Sequence, residues 1–518
     1  MPQQDDPRIL ELRAMRERAR QAGGQDRIAR QHAKGKLTAY ERITLLLDPG
    51  TFHEIEAFTT HQGDDLGLTT ERYPGDGVVT GFGQIDGRTV YVYAQDFTVI
   101  GGTLGEMHGR KICHLMDLAA QNGAPIIGLI DSGGARVQEG VRSLSAYAEL
   151  FRRNVQYSGI VPQISVMLGP CAGGAAYSPA LTDLILMVEK SSYMFITGPD
   201  VIRAVTGEVI DVETLGGSSV HAVITGTAHL TAPDENAALA LCRRTLGYFP
   251  SNHIDNPPAL PPTDDPGRME ETLNHLVPLE PDLAYSMHAV IDAVVDRGSF
   301  LEVQPDWARN AIVGLARLDG LSVGIVAQHP SVMAGVIDID ASDKIARFVR
   351  LCDCFNIPLV TFVDSPGFLP GVDQEHRGII RHGAKVLYAY AEATVPKLSV
   401  ITRKAFGGAY VVMSSKYLGN DVSFAWPSAE IAVMGAEGAV NILYRAEIEK
   451  AADPAAERER LIAAYRQQFG TPYYAASAGT VDEIIEPRET RPKLIAALHS
   501  LRHKAAAVPN RRHGNIPV

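Results

Sequence analysis

Apolar residues alternate with polar or small ones along Gly81–Gln95, and again along Gly314–Gln328. An Asp-Gly pair interrupts each stretch near its middle, Asp86-Gly87 in the first and Asp319-Gly320 in the second. Period-two alternation on both sides of Asp-Gly predicts strand, tight turn, strand. Helix-like stretches follow, HGRKICHLMDLAAQNG from His108 and DKIARFVRLCDCFN from Asp343, and each gives way to a short apolar run, APIIGLIDS from Ala124 and IPLVTFVDS from Ile357. Strands after helices at this spacing predict repeated βαβ units and a mostly parallel sheet, an α/β fold.

The two halves of the pattern are copies. An offset of 233 residues carries Lys111-Ile112 onto Lys344-Ile345, Pro125 onto Pro358 and Asp131-Ser132 onto Asp364-Ser365. Further on the offset becomes 234 and pairs Gly173-Gly174-Ala175 with Gly407-Gly408-Ala409, as one extra loop residue would produce. Between the copies lies the proline-rich Ile254–Gly267, which disfavours helix and sheet and marks a domain boundary. The expected domains are residues 1–260 and 261–518.

With 518 residues, 45% hydrophobic and 21% charged, the chain can bury a large core. A formal net charge of -12 argues against nucleic-acid binding, which needs a basic face. No apolar run approaches the about 20 residues of a membrane span, and the N-terminal segment has no signal-peptide core, so a cytoplasmic protein is expected. Cys113, Cys171, Cys242, Cys352 and Cys354 read as buried thiols. Cys352-x-Cys354 has no second ligand pair nearby, so no metal is expected.

The candidate chemistry sits where strands run into glycine. Each copy ends one strand in Asp-Ser followed by glycine, Asp131-Ser132-Gly133-Gly134-Ala135 and Asp364-Ser365-Pro366-Gly367. The next strand in each runs into a second loop, PCAGGAAYSPA and AFGGAYVVMSS. Ligands bind at the carboxyl ends of strands in such folds. Gly-Gly before a helix-forming run leaves backbone N–H groups free at a helix N-terminus, and these can meet charge developing on a carbonyl oxygen. Neither loop holds a His, Glu or Lys placed as a proton acceptor. The basic Lys34-Gly35-Lys36 precedes T-A-Y-E, the pattern of a capping box, and is a candidate for holding phosphates.

The stretches KGKLTAYERITLLLDPGTF, IDSGGARVQEG, GPCAGGAAYSPALTD, FITGPDVI, VDSPGFLPG, GGAYVVMSSKYLG and AWPSAEIAVMGAEGAV resemble the β subunits of propionyl-CoA and related acyl-CoA carboxylases, from about Lys34 to the closing HGNIPV. The resemblance implies two tandem crotonase-like domains of repeated ββα units and a homo-hexamer. In that assembly the active site lies between the N-terminal domain of one subunit and the C-terminal domain of another. It implies transfer of a carboxyl group from carboxybiotin to the α-carbon of a short-chain acyl-CoA. Carboxybiotin would release CO₂, and the ureido anion would take the α-proton. Gly173 and Gly174 become the oxyanion donors on the acyl-CoA side, and Gly408 and Ala409 those on the biotin side. Ser132, Gly133, Gly134, Ala135, Ala172, Lys34, Lys36 and Val411 become substrate contacts, and Pro366, Gly367, Phe368 and Gly407 biotin contacts. Tyr40 stands where relatives commonly carry Arg, and Val411 where propionyl-type members usually carry Asp, which opens the acyl preference to acetyl or butyryl chains.

Other readings are weaker. Ser132 as a nucleophile would need a partnered histidine and an all-β scaffold, and His382 sits on a helical pattern that favours a structural role. A decarboxylase would use the same loops in reverse, a biotin-free hydratase would need acidic residues over the substrate, and a scaffold paralogue would not need both glycine loops. The chain has no A-M-K-M biotinylation site and no glycine-rich ATP module, so a separate biotin carboxylase and biotin carrier subunit is implied. The four-cysteine zinc ribbon of bacterial acetyl-CoA carboxylase transferases has no counterpart here.

Overall fold

The computed structural model describes residues 6–62, 72–278, 280, 283–507 and 509–518. The chain forms two compact units, Met1–Asp255 and Asn256–Val518, so the break falls inside the proline-rich stretch.

Unit 1 is built on a sheet of β1 (His53–Ile55), β2 (Val78–Ile85), β3 (Arg88–Gln95), β4 (Ile126–Ser132), β5 (Gln163–Ala172), β6 (Leu184–Val188) and β8 (Leu230–Ala232), in the order β1-β2-β3-β4-β5-β6-β8, while β7 (Tyr193–Phe195) pairs with the end of β5. Unit 2 repeats the plan with β9 (Leu301–Val303), β10 (Ala311–Leu318), β11 (Leu321–Gln328), β12 (Leu359–Ser365), β13 (Lys397–Phe406), β14 (Val422–Ala425) and β16 (Glu483–Ile484), and β15 (Glu430–Ala432) pairs with β13. The β2–β3 and β10–β11 pairs are antiparallel hairpins, and from β3 and from β11 onward the ladders are parallel. Each hairpin turn has both central residues at positive φ, Asp86 and Gly87 at 49° and 75°, Asp319 and Gly320 at 53° and 73°. That geometry matches the strand twist and is why Asp-Gly stands there.

β4 and β12 are buried along their whole length, as strands covered on both faces must be, which explains their unbroken apolar runs. Both lose register against their neighbour just before the end, between Ile130 and Ser132 and between Val363 and Ser365. Such an irregularity re-aims the chain at the carboxyl edge. β4 and β12 stand 233 residues apart and β5 and β13 stand 234 apart, so the extra residue lies in the connection after β4.

Lys111 and Lys344 occupy equivalent buried positions. Lys111 donates to the Gly75 and Val78 carbonyls, and Lys344 to those of Gln304, Trp307 and Ala311. Burial pushes both ammonium groups down to about 8. Four cysteines are buried, but Cys354 is exposed near the end of its helix, a correction to the reading of all five as buried. No helix among the described residues is long and apolar enough to cross a membrane.

Candidate active site

In unit 1 the loop after β4 is fixed by its own backbone. Ser132 is fully buried and its hydroxyl donates to the Gly102 carbonyl at 2.7 Å, while the Gly133 N–H donates to Gly101 O at 2.9 Å. Ser132 therefore anchors the loop. It is neither a nucleophile nor the substrate contact expected from the sequence. Leu104 donates to Gly134 O and receives the Arg136 N–H, which makes Ala135 the bridge residue opposite Leu104. In a parallel bridge the amide of that residue points away from its partner, and the Ala135 N–H has no acceptor among the described residues. Gly134 has φ +101°, and a Cβ there would lie 2.8 Å from Ala172 O, so the loop crosses tightly over the end of β5.

β5 ends at Ala172, and Gly173 turns the chain into the helix Gly174–Ala180 with φ +60°. The Gly173 N–H is already used, donating to Phe195 O on β7 at 2.9 Å. Gly173 is thus not a donor, which corrects the expected pair. The helix that follows carries no side-chain cap, so the first amide, at Gly174, has no intrahelical acceptor. Unit 1 therefore presents Ala135 and Gly174 as its open amides.

Unit 2 repeats this with different side chains. Ile337 donates to Gly367 O and receives the Leu369 N–H, leaving Phe368 as the bridge residue with an N–H that has no acceptor among the described residues. Pro366 replaces Gly133 and cannot make the bond that Gly133 makes. Gly407, at φ +54°, opens the uncapped helix Gly407–Val412, and a Cβ there would meet Val433 O at 2.9 Å. Gly408 is exposed, and a Cβ on it would lie 3.6 Å from the Phe368 ring, which also abuts Gly383. Phe368 and Gly408 thus sit side by side. Ala409 packs its methyl inward, and Val411, 43% exposed, lies one turn beyond Gly408.

Behind each loop lies a buried aspartate. Asp131 Oδ2 receives Lys36 Nζ at 2.7 Å, Arg42 Nη1 at 3.0 Å and Gln31 Nε2 at 3.2 Å, and Arg42 is clamped from the other side by Glu235 at 2.6 and 2.8 Å. Lys36 is buried, and burial pulls its ammonium below the usual lysine range against the pull of Asp131. Its charge belongs to this cluster, which corrects its expected role as a phosphate contact. Asp364 receives Arg403 Nε at 3.1 Å and the Lys404 N–H at 3.0 Å, and burial pushes its carboxyl up.

Lys34 stays exposed. With Arg27, Arg30, Gln31, Tyr73, Phe97, Thr98, Ile100 and Gly101 it lines a cavity of about 400 Å³. Arg27 and Arg30 were missed in the sequence, although their i, i+3 spacing puts both on one face of the helix Gln25–His32, with Lys34 in the turn that follows. The capping box that starts the next helix is present, with Thr38 and Glu41 bonded reciprocally. His382 Nδ1 faces Asp343 at 2.9 Å on the helix Ile379–Glu392.

Comparison with known proteins agrees along the whole chain. The Carboxyl transferase domain matches residues 30–516. A propionyl-CoA carboxylase carboxyltransferase subunit of Haloferax mediterranei is 58% identical over 99% of both chains. The α subunit of methylmalonyl-CoA decarboxylase of Propionigenium modestum is 52% identical over 99% of both. A crystal structure of the transcarboxylase 12S hexamer, with methylmalonyl-coenzyme A bound, superposes with a TM-score of 0.97 at 48% identity over 100% of both chains. The duplicated α/β plan is therefore shared with these relatives, and this chain belongs to the carboxyl transferase domain family.

Proposed function

We propose that the chain is the carboxyltransferase subunit of a biotin-dependent acyl-CoA carboxylase, with propionyl-CoA as its preferred substrate. Biotin, carried on a separate subunit, supplies the carboxyl group and, through its ureido oxygen, an acceptor for hydrogen bonds. The observation that carries the reading is the repeated pair of open amides, Ala135 with Gly174 and Phe368 with Gly408. In unit 1 these amides meet the thioester oxygen, which gains charge as the α-proton leaves. In unit 2 they hold the ureido oxygen. Such donors need no reorganisation during reaction, and each contributes about 3–4 kcal/mol.

The cation-lined cavity beside the Gly133 loop takes the phosphates of coenzyme A on Arg30 and Lys34, with Tyr73 and Phe97 as apolar walls. Val411 lines the acyl end and relaxes chain-length preference. Exposed apolar side chains crowd both loops, Val137, Val141 and Leu144 in unit 1 and Ile380, Val411 and Val433 in unit 2. Faces of this kind are normally covered by another subunit, in keeping with a hexamer whose sites pair unit 1 of one copy with unit 2 of another.

The decarboxylase relative at 52% identity favours a second reading, transfer in the opposite direction. Reconstitution with a biotinylated partner, ATP and bicarbonate, comparing acetyl-, propionyl- and butyryl-CoA, tests both. Carboxylated propionyl-CoA supports the first. Biotin loading from methylmalonyl-CoA with no forward product supports the second.

A further inference from the structure

The cation-lined cavity and the open amides of unit 1 are held by the same pieces of backbone. Ile100 and Gly101 wall the cavity. Gly101 O accepts the Gly133 N–H at 2.9 Å, and the next carbonyl, Gly102 O, accepts the Ser132 hydroxyl at 2.7 Å. The turn that bounds the cavity therefore also fixes the strand end leading to the Ala135 amide. All three of its residues are left-handed, Ile100 at φ +48°, Gly101 at +61° and Gly102 at +62°. A β-branched residue adopts that conformation only when its surroundings impose it.

A second link runs through side chains. Gln31 also walls the cavity, is itself buried, and donates to Asp131 Oδ2 at 3.2 Å. Asp131 is followed directly by Ser132. Phe97, a further wall residue, lies 5.3 Å from Lys36 Nζ, which binds the same aspartate oxygen at 2.7 Å. Two routes, one through the backbone turn and one through Gln31, thus join the cavity to the loop that carries Ala135.

We infer that Gln31 and the Ile100–Gly102 turn are positioning elements, through which anionic groups bound in the cavity set the Ala135 amide for the transfer step. Resting on the reading of the cavity as the coenzyme A site, this assigns the nucleotide end of the substrate a part in rate as well as affinity. Binding energy from a non-reacting part of a substrate raises kcat only when it is used to order the reacting end. A donor displaced by about 1 Å forfeits much of its effect.

The test uses the full chain and carboxyl transfer from methylmalonyl thioesters to free biotin. The bond between the α-carbon and the carboxyl carbon breaks, a bond from that carbon to the ureido nitrogen forms, and the proton released by that nitrogen ends on the α-carbon, giving the propionyl thioester. kcat and KM are measured separately for methylmalonyl-CoA and methylmalonyl-pantetheine, which lacks the nucleotide. In the parent, kcat is expected to be roughly tenfold or more higher for the CoA thioester. In Gln31→Leu, and in Ile100→Gly as a second variant acting through the other route, that ratio is expected to fall to within about threefold. A general loss of structure lowers both rates and leaves the ratio standing. Equal kcat values in the parent, or a ratio retained in both variants, overturns the coupling. An Arg30→Ala/Lys34→Ala protein is expected to show a KM for methylmalonyl-CoA raised about tenfold or more. An unchanged KM there removes the cavity assignment itself, a failure distinct from loss of coupling.

Discussion

The two units solve one problem in two ways. Both end a buried strand in Asp-Ser and must hold that aspartate in a dry interior. In unit 2 the next strand supplies the cation and a main-chain donor, with Arg403 Nε on one oxygen and the Lys404 N–H on the other, and the Tyr285 hydroxyl adds to them. In unit 1 the equivalent positions are Gly169 and Pro170. Gly169 has no side chain to offer, and a Cβ there would lie 1.9 Å from Asp131 Oδ1. Pro170 has no N–H, and Asp131 Oδ1 is left buried without a partner among the described residues. The positive charge comes instead from Lys36 and Arg42, in the N-terminal segment that also carries Lys34. Unit 1 has thus moved its counter-charge onto the segment that walls the cationic cavity. Unit 2 keeps it within the sheet. The open amides are built from backbone in both units, while the charge behind them comes from whichever element is at hand.

The comparison can be broken at several points. The largest effects are expected at the amides. Gly174→Val and Gly408→Val should each lower kcat about 10²–10³-fold, with folding retained because both positions have ordinary φ and the nearest atoms to an added Cβ are aromatic side chains at 3.3 Å or more. Steady-state rates together with thermal melting check this, and isothermal titration should show weakened acyl-CoA binding only in Gly174→Val.

Next come the aspartates. Asp131→Asn leaves Lys36 and Arg42 buried with Glu235 as their remaining carboxylate partner and should cost about 3–5 kcal/mol in urea unfolding. Asp364→Asn should cost about 2 kcal/mol, because an amide oxygen still accepts from Lys404 and Arg403 keeps the Leu283 carbonyl and the Tyr285 ring. Equal costs would erase the distinction between the units.

Smaller again is an exchange of backbone donors. Lys404→Pro removes the N–H on Asp364 and should destabilise by about 2–3 kcal/mol. Pro170→Ala restores a donor opposite Asp131 Oδ1, and the gain of up to about 1 kcal/mol should offset the added freedom of the unfolded chain. Denaturant midpoints of the two variants should therefore move unequally, with the first falling sharply and the second holding or rising.

Much of this was legible in the sequence because it is written locally. The Asp-Gly turns, the buried apolar strands and the duplicated Gly-Gly loops all announce themselves within a few residues, and duplication separated function from accident. What was not legible depends on distant pairing. Gly173 and Gly174 look alike in sequence. Only the pairing of β5 with β7, through Phe195, uses up the first amide and leaves the second. Ala135 and Phe368 were expected as contacts, yet their standing as donors follows from bridges to Leu104 and Ile337, some thirty residues away. Lys36 reads as a surface cation until Asp131, 95 residues on, is brought beside it. Arg27 and Arg30 carried a periodic signal that needed only a helical face to be recognised.

The central claim is that open backbone amides in matching units receive the two reacting oxygens. A crystal structure of the protein with a non-hydrolysable methylmalonyl-CoA analogue tests it most directly. The account predicts the thioester oxygen at about 3 Å from both the Ala135 and Gly174 nitrogens, with the nucleotide phosphates against Arg30 and Lys34. A thioester oxygen bound elsewhere, with those two amides closed onto protein acceptors, would contradict it.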